Sequence, residues 1–546
     1  MDVRGRRSML LGAGTNWLAF AATLAVSFLL TPYLIRTLGP ARYDVWCVAE
    51  AVLAYFTLLD MGVAVCLVRS VARHHATGDR DAVNRVASAS LAVFLAAGAV
   101  AVVVGVPVLL VLAGRLDAKT DDPHVLPFLL LMLANLAATL PLSVFPGVLD
   151  GLERFAAKSA VRVGALALRT GGLVAAMEWS PGLLPLAVVY TAANLLEHGV
   201  LTGLCFRFLP GLRFARSLVD RDTLRGIFGY SRDAFLAMLA GRITLQTGAI
   251  VIGLLLPAGQ VTLFVTASRL VEYAKTLLRT ITATLTPGVS ALEARGDWAG
   301  IGRLFLTATR WVLYIVVPVN LGLWYFGRPF LVRWVGPEVG DASFPAAAVL
   351  ALTLSVGVAQ SVASRILYGL GRLRLFARLA LAEGALNLLL TAALIRPFGV
   401  EGVAWAVAVP NLLFCGLVLA HTLRTLGVSA GDYLWQGWMK PVAAGLVPAA
   451  VWALLEGVEP TWAGIAVGIA AGLGPYAVGV AALEFGSAGR SRRAVGSRAG
   501  GAGVGSWLPS TPPTNATPTP ARPSSPASTN PPIGGSRLPP AGCVGS

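Results

Sequence analysis

Most of this chain is divided into apolar runs of about twenty residues or more, joined by short connections rich in arginine. A run of that length crosses a hydrocarbon layer about 30 Å thick as a helix rising about 1.5 Å per residue. Inside lipid every backbone amide must find its partner within the chain, which leaves helices as the economical solution. Fourteen such segments can be placed, near 10–35, 43–68, 87–112, 125–148, 156–179, 183–206, 233–256, 261–291, 304–326, 343–368, 375–395, 398–421, 438–456 and 462–485. The eighth is the least apolar. Composition agrees: 56% of the 546 residues are hydrophobic and 13% are charged, roughly half the charge of a soluble domain. A single water-soluble core is excluded. Five cysteines are too few to staple a secreted chain of this size.

A net charge of +16 raises the question of nucleic acid, but the basic residues lie in short loops between spans and not on one soluble face, so a nucleic-acid partner is excluded. With a cytoplasmic N-terminus, 26 Lys and Arg fall on the inner side and 7 on the outer side. This follows the positive-inside rule and favours an even number of spans, with both termini cytoplasmic. The first apolar run is too long for a secretory leader and reads as a retained helix. From about Arg490 to Ser546 the chain holds eleven of its 33 prolines and few apolar residues. Such a tail buries too little surface to offset chain entropy and is expected to be disordered.

The sequence also meets itself. At an offset of 218, Ala76-Thr77-Gly78-Asp79 falls on Ala294-Arg295-Gly296-Asp297, Tyr55 on Tyr273, and Leu149-Asp150-Gly151-Leu152 on Leu367-Tyr368-Gly369-Leu370. The offset spans six helices, an even number, so both copies enter the membrane in the same direction. Parallel repeats imply a pseudo-two-fold axis along the membrane normal and a central cleft. The expected fold is all-α and integral to the membrane: two six-helix bundles forming a V, with two additional C-terminal helices. The corresponding divisions are 1–206 and 233–423 for the bundles, 207–232 for a cytoplasmic linker, 424–489 for the added helices and 490–546 for the tail.

Charges within the spans are the candidate functional residues. Arg269, Glu272, Lys275 and Arg279 lie within an arc of about 120° on one helix. A charge left unpaired at mid-membrane costs about 2.5–3.5 kcal/mol, so the arc should face the cleft. Glu272 is placed to neutralise Arg269 or Lys275. With Arg242 on the preceding span the patch keeps three positive charges. The planar fork of arginine suits phosphate, and a pyrophosphate head group fits such a patch. Snorkelling or structural ion pairing is the alternative. Glu50 and Asp60 are candidates for counter-charges across the cleft or for coupling to a proton or sodium ion; residence near the membrane ends is the alternative. Arg169, Arg310 and Arg365 read as snorkelling residues near span ends.

There is no GxxxxGK[ST] phosphate loop, no HExxH and no Cys/His set at metal-ligand spacing, so no cofactor or metal is expected. Asp79-Arg80-Asp81 has the form of a sugar-transferase DxD. The second copy reads Asp297-Trp298-Ala299, however, and what the copies share is Gly-Asp ahead of a helix, an N-cap.

Asn16, Pro32-Tyr33-Leu34-Ile35-Arg36-Thr37-Leu38-Gly39, Tyr43-Asp44-Val45-Trp46 and Leu58-Leu59-Asp60-Met61-Gly62 resemble the N-terminal signature of bacterial polysaccharide-biosynthesis flippases, the O-antigen and exopolysaccharide translocases of the multidrug/oligosaccharidyl-lipid/polysaccharide exporter superfamily. Asp44 departs from the pattern, which usually has a small residue there. The resemblance implies a V-shaped cationic cavity and export of a polyprenyl-pyrophosphate-linked oligosaccharide to the outer leaflet of the plasma membrane by alternating access. It implies membrane lipids as surroundings, with the glycosyltransferases or polymerase of the same pathway as partners. By position and chemistry Arg242, Arg269, Lys275 and Arg279 would take the cationic role. A drug/cation antiporter on the same scaffold would call for an acidic or aromatic cavity. A membrane polysaccharide polymerase or ligase would need a sizeable outer loop, and the loops near 113–124 and 327–342 are short. The expectation is a transporter and not an enzyme.

Overall fold

The computed structural model describes the backbone of residues 3–60, 62–120, 122–282, 284–372, 374–455 and 461–499, and the side chains of these apart from 3–18, 228–234, 236, 237, 277–280 and 485–499. Among the described residues every regular element is helical. Met1–Ser487 form one compact unit and Ala488–Ser546 a second; all packing given below lies within the first. The first half comprises α1 (Val3–Leu38), α2 (Pro40–Phe56) with a 3-10 turn (Thr57–Asp60), α3 (Val63–Ala76), α4 (Arg80–Thr120), α5 (Val125–Leu142), α6 (Val144–Gly151), α7 (Phe155–Trp179) and α8 (Leu183–Phe208). The second half comprises α9 (Arg221–Leu255), α10 (Gln260–Thr282), α11 (Leu285–Ala294), α12 (Trp298–Val335), α13 (Pro337–Gly369) and α14 (Arg374–Leu426). A short turn, α15 (Ala430–Asp432), and a π-helical segment (Tyr433–Met439) lead to α16 (Lys440–Leu454) and α17 (Trp462–Ala499).

Among the described residues each span placed from the sequence falls largely on helix, 43–68, 125–148 and 261–291 each on more than one. Among the described residues ten helices are long and apolar enough to cross a membrane, or eleven if the bent pair α2–α3 counts as one span. Helix α14, 53 residues long, would reach about 80 Å if straight. It is broken at Gly399, whose φ of 56° and ψ of −133° are not helical, and so supplies two spans. The other two are α10–α11, which carries the charges, and α16, which is 15 residues long. The protein is a multi-pass membrane protein.

One boundary differs from expectation. The connector between the halves runs over 209–220 and not 207–232, because α9 begins at Arg221. Asp220 caps it, accepting from the Thr223 amide at 2.6 Å and the Thr223 hydroxyl at 2.8 Å. Those two bonds hold the Asp220 carboxyl below the usual carboxylate range. The arginines of this turn made it look like loop, yet Ile227 is buried, and the first turns form an amphipathic helix start. At the other end, α17 continues to Ala499, beyond the expected edge at 490; residues 500–546 of the Pro-rich tail lie outside the described residues.

The repeat is visible in the packing. Helices α3 and α11 end at Ala76 and Ala294, α4 and α12 begin at Arg80 and Trp298, and α6 and α13 end at Gly151 and Gly369, each pair 218 apart. A Cβ on Gly151 would meet the Val71 side chain at 2.6 Å and the Val68 carbonyl at 3.0 Å. A Cβ on Gly369 would meet Val289 at 2.7 Å and the Thr286 carbonyl at 3.2 Å. The neighbours are offset by 218 as well, so both copies use one glycine to let two helices close. Asp79 accepts from the Ala82 amide at 2.9 Å and Asp297 from the Gly300 amide at 2.7 Å. These are the N-caps expected in place of a DxD site.

Burial shows where the halves meet. One core joins Leu34, Ile35, Val45 and Phe128 of the first half to Ile252, Val261, Leu331 and Trp334 of the second. A second core, with Leu67, Val71 and Val148, belongs to the first half apart from Ile227 and Leu224, which the first turns of α9 add to it. A third, with Val289, Phe305 and Ile366, belongs to the later part of the chain alone. The largest shared core lies at the end holding the α1–α2 and α9–α10 connections; at the other end each half has a core of its own, with the start of α9 packed into that of the first half. Polar contacts reinforce the closed end. The Asp44 carboxylate on α2 accepts from the amides of Gly259 (2.7 Å), Val261 (3.3 Å) and Thr262 (2.6 Å) and from the Thr262 hydroxyl (2.6 Å), capping α10 from the opposite half. Lys119 on α4 donates to the Gly253 and Leu256 carbonyls at 2.7 and 2.6 Å, satisfying the C-terminus of α9. Arg36 donates to the Trp334 carbonyl at 3.2 Å, and the Trp334 indole to the Phe28 carbonyl at 2.9 Å.

Helices α16 and α17 lie against α12. Glu484 accepts from the Tyr314 hydroxyl at 2.9 Å and faces Lys440 at 3.3 Å and Arg310 at 3.4 Å. Arg310 is thus engaged within the bundle and does not snorkel.

Candidate functional site

The site grows from the contact between α2 and α10 across the pseudo-two-fold. Arg269 on α10 donates to the Tyr43 hydroxyl at 2.6 Å and the Thr31 hydroxyl at 2.8 Å, and faces the Glu50 carboxylate at 3.3 Å. Its guanidinium lies 5.8 Å from the centre of the Tyr43 ring. A half-buried cation is tolerated because each terminal nitrogen of the fork has a partner. Two further bonds frame it: Tyr55 on α2 shares a hydrogen bond with Thr247 on α9 (2.6 Å), and Tyr273, its counterpart in the repeat, shares one with Ser27 on α1 (2.9 Å).

Two cavities meet at this pair, and Glu50 and Arg269 line both. The larger, about 440 Å³, lies between α2, α9, α10, α13 and α14, and Glu272 and Lys275 line it as well. The Lys275 ammonium donates to the Thr353 hydroxyl at 3.0 Å. The smaller, about 190 Å³, lies between α1, α2, α7 and α8, and Arg169 lines it. A third cavity of about 260 Å³, between α10, α12, α16 and α17, is apolar and includes Phe326, Phe330 and Trp452.

The structure gathers Arg269, Glu272, Lys275 and Glu50 in one chamber. Arg242 is not among the side chains lining that chamber. It donates to the Thr57 hydroxyl at 3.3 Å, at the break between α2 and α3. Asp60 is at the same break, accepting from the Gly62 amide at 2.8 Å. The Arg279 side chain lies outside the described residues. The surplus of three positive charges is accordingly not what the larger chamber shows: its described lining has two cations and two carboxylates. Helical periodicity found the shared face of α10 but could not supply Glu50, which arrives from the other bundle.

Arg169 was misplaced by sequence reasoning. Its place near the middle of the 156–179 span was the available signal. Its guanidinium sits 5.2 Å from the centre of the Tyr190 ring and donates to the Asn194 side-chain carbonyl at 3.5 Å. Among the described residues no group of three or more His, Cys, Asp or Glu could hold a metal ion.

Comparison with known proteins places this geometry in a family. A probable low-salt glycan biosynthesis flippase, Agl15, of Haloferax volcanii is 24% identical over 287 residues, 52% of this chain and 59% of that protein. The chain thus spans about three fifths of the length of the curated relative it matches. The solved structure of the lipid II flippase MurJ in an inward closed conformation superposes with a TM-score of 0.70 at 13% identity, covering 87% of this chain and 98% of that one. An inward-facing multidrug resistance MATE family transporter of the MOP superfamily gives 0.60 at 15% identity, covering 74% and 94%. These two likenesses show a shared fold. Residues 11–293 match the family model described as polysaccharide biosynthesis protein, which is more than half of the chain, and the protein belongs to that family.

Proposed function

We propose that this protein flips a lipid-linked glycan, specifically a polyprenyl-pyrophosphate-linked oligosaccharide, from the cytoplasmic to the outer leaflet of a bacterial plasma membrane by alternating access. The observation that carries the reading is Arg269: a half-buried guanidinium on the wall of two chambers, at the seam between bundles whose largest shared core lies at one end. The pyrophosphate docks on Arg269 and Lys275, with Arg242 and Arg279 contributing positive charge along the approach. Docking replaces the Glu50 carboxylate as the partner of Arg269. Glu272 remains the counter-charge of the chamber. Release of Glu50 makes it the site where a proton or cation couples to transport, and Asp60 a second such site. The lipid tail stays in the bilayer, and the apolar cavity beside α16 and α17 suits part of it. The 26-to-7 distribution of basic residues supports cytoplasmic termini, which puts the closed end of the V outward. The divisions 1–206, 233–423 and 424–489, with the first connector shortened, serve as the moving parts. Glycosyltransferases or a polymerase of the same pathway would supply and consume the glycan.

The test is complementation in a bacterium lacking its own lipid-linked-glycan flippase. Wild-type protein restores surface glycan. Arg269→Ala with Lys275→Ala, present at wild-type level in the membrane, reduces it at least about tenfold, the loss expected for removing a charged partner of phosphate worth about 1.5–3 kcal/mol. Undiminished glycan would overturn the assignment.

A further inference from the structure

The two chambers are copies of one another. Ser27, Thr31, Trp46 and Glu50 line the smaller; at an offset of 218, Leu245, Ala249, Phe264 and Ser268 line the larger. Three elements correspond, α1, α2 and α8 in the smaller chamber and α9, α10 and the second part of α14 in the larger; α7 completes the first and α13 the second, and each borrows one wall across the seam. The copies have diverged in chemistry. Where the second has Leu245 and Ala249, the first has hydroxyls. Arg169 and Tyr190 line the first, whereas the residues 218 further on are Asn387 and Ala408, neither of which lines the second. A related chamber that differs in both size, about 190 against about 440 Å³, and lining is suited to a different ligand group.

The lining of the smaller chamber indicates which group. Trp46 and Tyr190 stand edge to face, ring centres 5.3 Å apart and planes at 78°. Arg169 lies over Tyr190, and the planar groups of Glu50 and Arg269 close the shared wall. Thr23, Thr31 and Thr170 add hydroxyl oxygens; Thr170 spends its proton on the Leu166 carbonyl at 2.8 Å, which leaves its oxygen an acceptor. A pyranose presents apolar C–H faces that pack on aromatic rings and an edge of hydroxyls that bond to planar, bidentate side chains. At about 190 Å³ the chamber is smaller than the roughly 300 Å³ lower bound of drug-sized sites, which suits one ring and not an oligosaccharide. We propose that the chamber between α1, α2, α7 and α8 is a monosaccharide subsite that receives the sugar joined directly to the pyrophosphate, while the larger copy receives the phosphates. The proposal rests on the flippase reading and assigns Arg169, Thr170 and Tyr190 to the selection of that sugar.

The experiment uses the full chain in lipid nanodiscs and measures binding by native mass spectrometry. The probes are undecaprenyl pyrophosphate without sugar and the same carrier bearing one hexose, one N-acetylhexosamine or one hexuronate. Wild-type protein binds at least one single-sugar carrier about tenfold tighter than the bare carrier, the ratio worth about 1.4 kcal/mol. Arg169→Gln and the nearly isosteric Thr170→Val each reduce that ratio to about threefold or less, and the bare carrier, held at Arg269, keeps its affinity. If the bare carrier binds and no single-sugar carrier exceeds it, the sugar subsite is refuted. Equal weakening of bare and glycosylated carriers by Arg169→Gln would refute it too, by showing that Arg169 serves the phosphates. If no carrier binds wild-type protein, the flippase reading itself falls.

Discussion

Glu153 is the one described non-glycine residue with a positive φ, 57°, and its counterpart 218 residues on is Gly371, at 65°. An L-residue in the left-handed region costs about 1–2 kcal/mol, whereas glycine costs about 0.5–1 kcal/mol in chain entropy. Glu153→Gly is therefore expected to stabilise the α6–α7 turn by up to about 1 kcal/mol, and Gly371→Ala to destabilise its copy by a similar amount. Thermal unfolding of the purified protein measures both. Asp122, in the α4–α5 turn, is buried and nevertheless ionised. Burial pushes its carboxyl up, but the His124 amide (3.0 Å), the His124 ring (3.1 Å) and Arg42 (2.7 Å) together hold it below the usual carboxylate range. A carboxyl lowered by folding stabilises above its unfolded value, near 3.9, and loses that contribution only as pH falls through its lower folded value. Amide exchange in this turn, corrected for its intrinsic rate, should stay protected from pH 7 to about pH 4 and then rise; Asp122→Asn should show weaker protection at neutral pH. Neither feature was legible beforehand. A positive φ outside glycine has no signature in one sequence, and the partners of Asp122 depend on how Pro40-Ala41-Arg42 meets a turn some eighty residues away.

At the scale of elements, α10 shows how far periodicity reaches. The wheel puts Arg269, Glu272 and Lys275 on one face, and all three line the larger chamber, as the cost of exposing charge to lipid favours. The wheel alone could not supply Glu50, which belongs to α2 and stood in the sequence as one of two candidate counter-charges across the cleft. The cap on α10 was hidden for the same reason: Asp44 stood out in the sequence only as a departure from the resembling pattern, and its partners are 215 to 218 residues away. Asp44→Ala leaves three amides at the α10 terminus without that acceptor. A lost cap costs about 0.5–2 kcal/mol, which shifts the balance between the closed form and the proposed outward-open form by about two- to thirtyfold. Cys47, one turn along α2 and 4% exposed, reports the change. In a variant with Cys47 as the sole cysteine, a membrane-impermeant maleimide added outside should label Asp44→Ala severalfold faster than the parent. Equal rates would show that the cap does not hold the outer end.

For the whole molecule, the order of spans and the duplication were legible because both are written in local patterns: apolar length for one, short matching turns for the other. The seam was not, since cross-bundle contacts such as Tyr55–Thr247 and Ser27–Tyr273 leave only matching tyrosines as a trace. Nor was the larger extent of the helices. Helix α4, 41 residues long, reaches about 60 Å, twice the hydrocarbon thickness, and its charged early turns extend the bundle beyond the bilayer.

The closed end has a consequence for the medium around it. Asp44 and Lys119 occupy backbone amides and carbonyls at the tips of α9 and α10, groups that cannot go unsatisfied once the halves part. Hydration has to replace them, so in the alternating-access cycle proposed above each parting of the halves takes up ordered solvent at the mouth and returns it on reclosing.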